Sequence, residues 1–390
     1  MTGGIRPAIV AAMNDQELID RLRLIRTENV GPVTFRTLLR RFGSASRALG
    51  ALPDLARRGG RTGAQQIPAR EDAERELAAA KKIGACIVAF DDPTYPEALQ
   101  AIDDAPPLFY LRGNADLLGR RAVAVVGARN ASAAGVRFAR QLATELAQAG
   151  LLVVSGLARG IDGAAHQGAL DAGEASSGTL AVLAGGVDQI YPPEHAALYE
   201  KIVASGSGAV LSERPPGLVA RERDFPKRNR LIAGLSVGVV VVEAAFRSGS
   251  LITARLANEQ GREVFAVPGS PLDPRCRGAN DLIRQGATLT ENAGDVLAVL
   301  GALTGPSAPA ARTAQAVESE RESFSAPDET ALAQARDRVL RILGPTPVEV
   351  DEIIRQCQLS APVVQAALLE LELAGRIARH SGNRVALDAS

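Results

Sequence analysis

Six short apolar runs limit what this chain can fold into. In order they are "VAVVGA", "LLVVSG", "LAVLAGG", "GAVLSE", "VGVVVVEA" and "EVFAVPG". Each is nearly continuous in apolar residues, which a strand tolerates only when both of its faces are buried. Between successive runs lies enough chain for one helix. Strand–helix alternation of this kind predicts an α/β fold: a parallel, doubly wound, Rossmann-like sheet from about Pro107 to Leu300. In such sheets ligands sit outside the carboxyl ends of the strands. Here those ends read "GARNAS", "SGLARGID", "AGGVDQIYPPEH", "SERPPG", "EAAFRSGS" and "PGS". Glycine is needed wherever a strand turns into a helix, so one such turn says little. Six polar or glycine-rich turns on one edge predict a single binding crevice.

The turns do not suit a dinucleotide. A GxGxxG fingerprint would begin at Gly127, but Arg129 and Ser132 replace its second and third glycines. The acidic residue that would hold a ribose is also missing; Ser155 and Gly156 stand there. No GxxxxGK[ST] loop is present. What remains suits phosphates held singly. Arg129 offers a planar fork. Ser155-Gly156 and Ser248-Gly249-Ser250 precede helices, whose first N–H groups favour anions. From Arg214 to Arg230 there are six basic and two acidic residues, in a chain with 44 of each sign overall. Lys227 and Arg230 share a helix face. Arg228 lies about 100° round from Lys227 and can pair internally. A solvated face paired with Asp or Glu is the alternative for this cluster.

Catalytic and metal chemistry find less support. His166, His195 and His380 are scattered, and no GxSxG or HExxH occurs. Asp162 and His166 are four apart on one helix face, an arrangement that serves a structural hydrogen bond as well as catalysis. A two-metal site would need Asp162, Asp188, Glu213 and Glu243 to converge. Three separated cysteines without CxxC give no zinc or disulfide framework and suit a reducing cytoplasm. No signal-type leader and no membrane-length apolar run is seen. No cofactor is expected.

The flanks read differently. "ENVGPVTFRTLLRRFG" has a helix-hairpin-helix pattern, with Asn29 where glycine is usual; Asn29 and Gly31 can both take positive φ, which turns N–H groups towards a phosphate, and structural packing is the alternative role. Residues 53–70, rich in Gly, Pro and Arg, are expected as a loop, and "CIVAF" as a short strand. Residues 301–328, rich in Ala, Ser and Pro, read as a flexible linker. Beyond it, helix, helix, helix, turn and strand is the order of a winged helix-turn-helix. Its third helix, "SAPVVQAALLELELAG", has no Lys or Arg and carries Glu370 and Glu372. A groove-reading helix needs donors, so a protein-contact or regulatory role is expected of this tail.

Together, "VAVVGARNAS", "VSGLARGIDGAAHQGAL", "LAGGVDQIYPPEH", "FPKRNRLIAGLSVGVVVVEAAFRSGSLITARLANEQGREVFAVPGS" and "GANDLIRQGA" resemble the DprA/Smf DNA-processing family over about residues 107–290. Residues 1–12 read as a loose tail, and the resemblance implies a sterile-alpha-motif-like or helix-hairpin-helix domain (13–100), an extended Rossmann-like DNA-binding domain (101–300) and, beyond the linker, a winged-helix domain (329–390). It implies a non-enzymatic protein that binds and protects single-stranded DNA in natural transformation and helps to load the RecA recombinase. It also implies a homodimer formed through the Rossmann-like domain. The phosphate stations that it implies are Arg129, Ser155-Gly156, Lys227 and Ser248-Gly249-Ser250; Gly127, Arg228 and Arg230, beside them in the sequence, are further candidates for phosphate contact. Phe225 and Tyr191 are the candidates for base stacking, with core or edge packing as the alternative. Two other classes stay open. One is a phosphoribohydrolase of the lysine-decarboxylase-like type; aligning its motif on Thr253 puts Leu256 where its catalytic carboxylate belongs. The other is a duplex-binding regulator acting through the tail.

Overall fold

A computed structural model describes residues 14–302, 328–380 and 382–388. The expected tail, and the expected linker over 303–327, lie outside the described residues. The described chain separates into two compact units, one holding the large sheet and starting at Ala78, the other holding the residues up to Leu77 and those from Asp328 onward.

In the sheet unit, β1 (Cys86–Ala89), α5 (Glu97–Gln100) and β2 (Leu108–Gly113) come first, where α1 to α4 are the helices preceding β1. There follow β3 (Ala122–Val126), α6 (Ala133–Gln148), β4 (Leu152–Ser155), α7 (Ile161–Asp171), β5 (Thr179–Val182), α8 (Ala196–Ala204) and β6 (Gly208–Ser212). The series ends with α9 (Asp224–Leu235), β7 (Gly238–Val241), α10 (Gly249–Glu259), β8 (Glu263–Ala266), α11 (Arg277–Arg284), β9 (Thr288–Leu289) and α12 (Ala293–Ala302).

The nine strands lie in the order β1-β2-β6-β5-β4-β3-β7-β8-β9. From β6 to β9 the pairing is parallel, with Val123 opposite Gly238 and Val126 opposite Val241. The six apolar runs are β3 to β8. Their burial on both faces is literal. Ala124, Val126, Val239 and Val241 join the core under α9 and α10. Val123, Val125, Val240 and Val242 join the opposite core under α6 and α7. The chain steps outward from β3 to β6 and then returns to β7 on the other side of β3, so the topological switch lies between β3 and β7.

One boundary differs from expectation. "CIVAF" belongs to this sheet and not to the helical domain, because β1 pairs antiparallel with β2, and β2 pairs antiparallel with β6. The break therefore falls before residue 78, well short of 100.

The second unit contains α1 (Asp15–Arg26), α2 (Pro32–Phe42), α3 (Ala45–Arg58) and the start of α4 (Arg70–Lys82). Helix α3 runs through Pro53, so the expected loop begins only after Arg58. The unit also contains α13 (Glu329–Ile342), β10 (Val348–Glu349), α14 (Val350–Cys357), α15 (Ala361–Leu373), β11 (Ile377–His380) and β12 (Arg384–Leu387). The last three strands form an antiparallel sheet in the order β10-β12-β11, the wing of a winged helix.

Helix α15 is the third helix of that motif, and it is buried on two sides. Leu368 and Leu371 pack with Val339, Ile353 and Val385 of the winged helix. Leu369 and Leu373 pack with Leu24, Phe35 and Leu52 of the N-terminal helices. Both of its glutamates are buried. Glu370 pairs with Arg336 and lies 4.0 Å from Arg58, and Glu372 accepts from Arg379 at 2.8 Å. In the hairpin turn Asn29 takes φ 62°, as expected, but Gly31 is extended and caps α2. The Asn29 Nδ2 donates to the Leu373 carbonyl at 3.5 Å. Among the described residues no helix is long and apolar enough to cross a membrane.

Candidate nucleic-acid interface

At the switch between β3 and β7 a doubly wound sheet normally offers its anion site. In this chain a carboxylate of its own holds that place. Ser132 is the N-cap of α6, and its Oγ accepts from the Gly135 N–H at 2.9 Å. Glu243, just past β7, accepts from the Ser132 N–H at 2.9 Å and from the Ser132 Oγ at 2.5 Å. A Cβ on Gly135 would lie 2.6 Å from that carboxylate. The helix N-terminus that would receive a pyrophosphate already has its negative charge. The four acids considered for metal work each hold a separate partner. Asp162 accepts from the Gly156 and Ala158 N–H groups, Asp188 from Gly217, Glu213 from Arg230 and Glu243 from Ser132.

The open surface lies to one side of the switch, over the ends of β3, β4 and β5. A shallow depression there is lined by Arg129, Gly156, Ala158, Arg159, Tyr191, Pro192 and Phe225. The exposed Arg129 guanidinium stands 5.3 Å from the centre of the Phe225 ring. Tyr191 meets the same ring at 5.5 Å, tilted by 58°. Tyr191 is 49% exposed, so cation and rings form a column open to solvent. Sequence spacing could not foretell this, because Arg129 and Tyr191 come from two separate turns and Phe225 from the start of helix α9. Arg159 was missed as well; it sits inside the quoted "SGLARGID" turn, and its own charge was the signal.

Beside this column lies a second depression, lined by Leu183, Ala184, Glu213, Arg214, Asp224, Lys227 and Arg228. Lys227 is exposed at its rim. Arg221 and Arg223 are exposed as well, whereas Arg214, Arg228 and Arg230 are held by partners. Arg214 pairs with the buried Asp224 at 2.7 Å. Burial opposes the charge on Asp224, yet the Arg221 N–H and the Arg214 guanidinium outweigh it and hold that carboxyl below the usual carboxylate range.

Phosphate contact by the side chains of Ser155, Arg228 and Arg230 is corrected by their direction. Ser155 is fully buried and donates to the Val125 carbonyl at 2.7 Å. Arg228 is buried and donates to the carbonyls of Gly156 (2.8 Å) and Val182. Desolvation lowers its pKa to about 10, with Asp162 resisting the shift. Arg230 is mostly buried, pairs with Glu213 and donates to the Asp104 carbonyl at 2.8 Å. Burial works against its charge, but Glu213 and Asp104 outweigh burial and raise its pKa. The Gly156 N–H is likewise committed, to Asp162 at 3.1 Å. Gly127 serves packing: a Cβ there would lie 2.6 Å from the Ile161 side chain. Ser248 caps α10, accepting from the Ser250 N–H at 3.4 Å; Ser250 is buried, while Gly249 is exposed with open space around its Cα. The Asn229 Nδ2 donates to the Gly249 carbonyl at 3.3 Å and ties that turn to α9.

His166 is structural. Its Nε2 accepts from the Leu157 N–H at 3.3 Å, so Nδ1 carries the proton and donates to Thr179 Oγ1 at 2.7 Å. Burial first, then the charges of His195 and Arg228, lower its pKa from 6.5 to about 3. An unfolded chain takes up that proton below about pH 6.5 and the folded chain does not, so the contribution is complete above 6.5 and is lost as pH falls towards 3. Between pH 7 and 5 the wild type is expected to lose about 2 kcal/mol more unfolding free energy than His166→Gln. Urea denaturation at the two pH values measures this, and equal losses would contradict it.

Comparison with known proteins agrees in all three regions. The profile described as DNA recombination-mediator protein A matches residues 86–301. A DprA-like N-terminal HHH domain matches residues 15–79, and a DprA winged helix domain residues 324–383. Protein Smf of Escherichia coli (strain K12) is 41% identical over 303 residues, covering 77% of each chain. The DNA processing protein DprA of Streptococcus pneumoniae (strain R6) is 46% identical over 207 residues, 53% of this chain and 71% of that one. The X-ray structure of DNA processing protein A from Streptococcus pneumoniae superposes with a TM-score of 0.60 at 37% identity, covering 73% of this chain and 98% of that one. With its sheet, its helical amino-terminal region and its winged helix all matched in chain order, this chain belongs to the DNA recombination-mediator protein A family, also named DprA/Smf.

Proposed function

We propose that this protein binds single-stranded DNA across the carboxyl edge of its sheet, by phosphate contacts at Arg129, Lys227 and the Gly249 turn and by base contacts at Phe225 and Tyr191. The observation that carries this reading is the solvent-open column of Arg129, Phe225 and Tyr191 beside an exposed Lys227. A flexible strand can lay a base on a ring and its phosphates on flanking cations, whereas a stacked duplex hides its base faces. The role is a non-enzymatic one. Protection of the strand, its handover to a RecA recombinase, and pairing of two copies through the sheet domain belong to the same reading, and family membership supports them.

Two alternatives lose ground on specific residues. Thr253 and Leu256 are both buried on α10, so a phosphoribohydrolase carboxylate has no counterpart facing the crevice. Duplex reading by the winged helix would need α15 exposed, and from Ala366 to Leu373 its side chains are buried.

Titration of an oligo-dT strand and of a duplex of equal length, over a range of salt, tests the proposal. Preference for the single strand with affinity falling as salt rises is expected; equal affinity for the duplex would refute it. Phe225→Ala and Tyr191→Ala are each expected to weaken the strand by about 1–3 kcal/mol while leaving the salt dependence almost unchanged.

A further inference from the structure

We propose that Arg228 and Asp162 are positioning residues of the DNA site: they grip the two polar groups of Gly156 from opposite sides and so set the turn that floors the Arg129–Phe225–Tyr191 column. This inference rests on the reading of that column as a strand-binding surface. The Gly156 N–H donates to Asp162 Oδ2 at 3.1 Å, and the Gly156 carbonyl accepts from Arg228 Nη1 at 2.8 Å. Asp162 also accepts from the Ala158 N–H at 3.4 Å. Arg228 reaches the Val182 carbonyl at the end of β5, and its Nε donates to Asn229 Oδ1 at 3.2 Å. Both side chains are buried. They come from different elements, Asp162 from the first turn of α7 and Arg228 from α9. The couple therefore ties the end of β4 to the end of β5 and to the helix that carries Phe225 and Lys227.

Gly156 is fitted to this grip. A Cβ there would lie 2.3 Å from Arg228 Nη1. The guanidinium thus fills the space that a side chain at position 156 would take. Gly156 and Ala158 both line the open depression, so a shift of this turn moves its floor. Arg228 borders the second depression, but it is 6% exposed with its guanidinium committed to its acceptors, and Asp162 is equally buried. A buried guanidinium with three acceptors resists displacement, because losing any of them strands a buried polar group.

The test measures oligo-dT affinity of the full chain for Arg228→Met, Asp162→Asn and Gly156→Ala, together with thermal unfolding. Leu300→Ala, in the core far along the chain from this edge, serves as a destabilised control. Each of the three site variants is expected to bind about tenfold more weakly, while Leu300→Ala binds like the wild type despite its lower unfolding temperature. Guanidinium added at fixed ionic strength should restore part of the affinity of Arg228→Ala. The proposal is overturned if folded Arg228→Met binds like the wild type, or if Leu300→Ala loses as much. Should Arg228→Met fail to fold, Asp162→Asn, which keeps the shape, decides alone by the same criterion. A wild type that does not bind oligo-dT would instead remove the reading of the column itself.

Discussion

Arg129→Ala combined with Lys227→Ala is expected to weaken oligo-dT binding about a hundredfold, since each cation removed costs about 1.5 kcal/mol of phosphate attraction. The two cations stand exposed at neighbouring depressions on one sheet edge. The chain has equal numbers of acidic and basic residues, so no diffuse positive field replaces them. Each neutralised phosphate adds about 0.7 to the slope of log affinity against log salt for a single strand, so the double variant should lose about 1.4 from that slope. Anisotropy titrations between about 50 and 200 mM salt read both numbers at once. Arg230→Ala is the comparison. Its guanidinium is bound inward to Glu213 and Asp104, so it should cost stability and leave the salt slope as it was. A slope unchanged in the double variant would remove these two residues from the interface.

Glu370→Ala is expected to cost the second unit about 1–3 kcal/mol, because it removes the buried carboxylate from the half-buried Arg336 and leaves that guanidinium only the exposed Glu329. Glu370 is fully buried, pairs with Arg336, and has Arg58 at 4.0 Å. Desolvation also lowers the pKa of Arg41, and Glu370 is the charge that opposes this. One carboxylate thus faces arginines from α2, α3 and α13. Hydrogen exchange should show amides of α2, α3 and α15 losing protection together, and protection lost in α15 alone would contradict the joint packing. Glu370→Leu with Arg336→Met should recover part of the loss, since an apolar pair of similar volume replaces a buried ion pair at little cost.

The sheet was legible because burial on both faces leaves an unmistakable apolar run. The β1–β2 pair was not, because "LFYLRG" lies outside the strand–helix rhythm and pairs antiparallel across a chain reversal. Position along the chain put Arg129 and Lys227 at the sheet edge, where both are exposed, but did not show which way a guanidinium points. Arg230 finds its partners 17 and 126 residues away. Arg228 finds its acceptors 46 and 72 residues away. Periodicity within one helix is blind to both. The lack of Lys and Arg in the tail's third helix, with its two glutamates, argued against a groove-reading role. That its glutamates are buried, and not solvated, depended on residues from the other end of the chain.

That last pairing has a consequence for synthesis. The hairpin turn at Asn29 closes on Leu373, a residue made 344 positions later. At ribosomal speeds of about 5–20 residues per second, the first three helices wait about 20–70 s for the leucines that complete their core. During that interval Leu24, Phe35 and Leu52 lack part of their cover, while the sheet between the two halves can form on its own. Helices α1 to α3 and α15 are thus the last part of the described chain to finish folding, and a nascent chain halted before residue 361 should present α1 to α3 to chaperones and proteases.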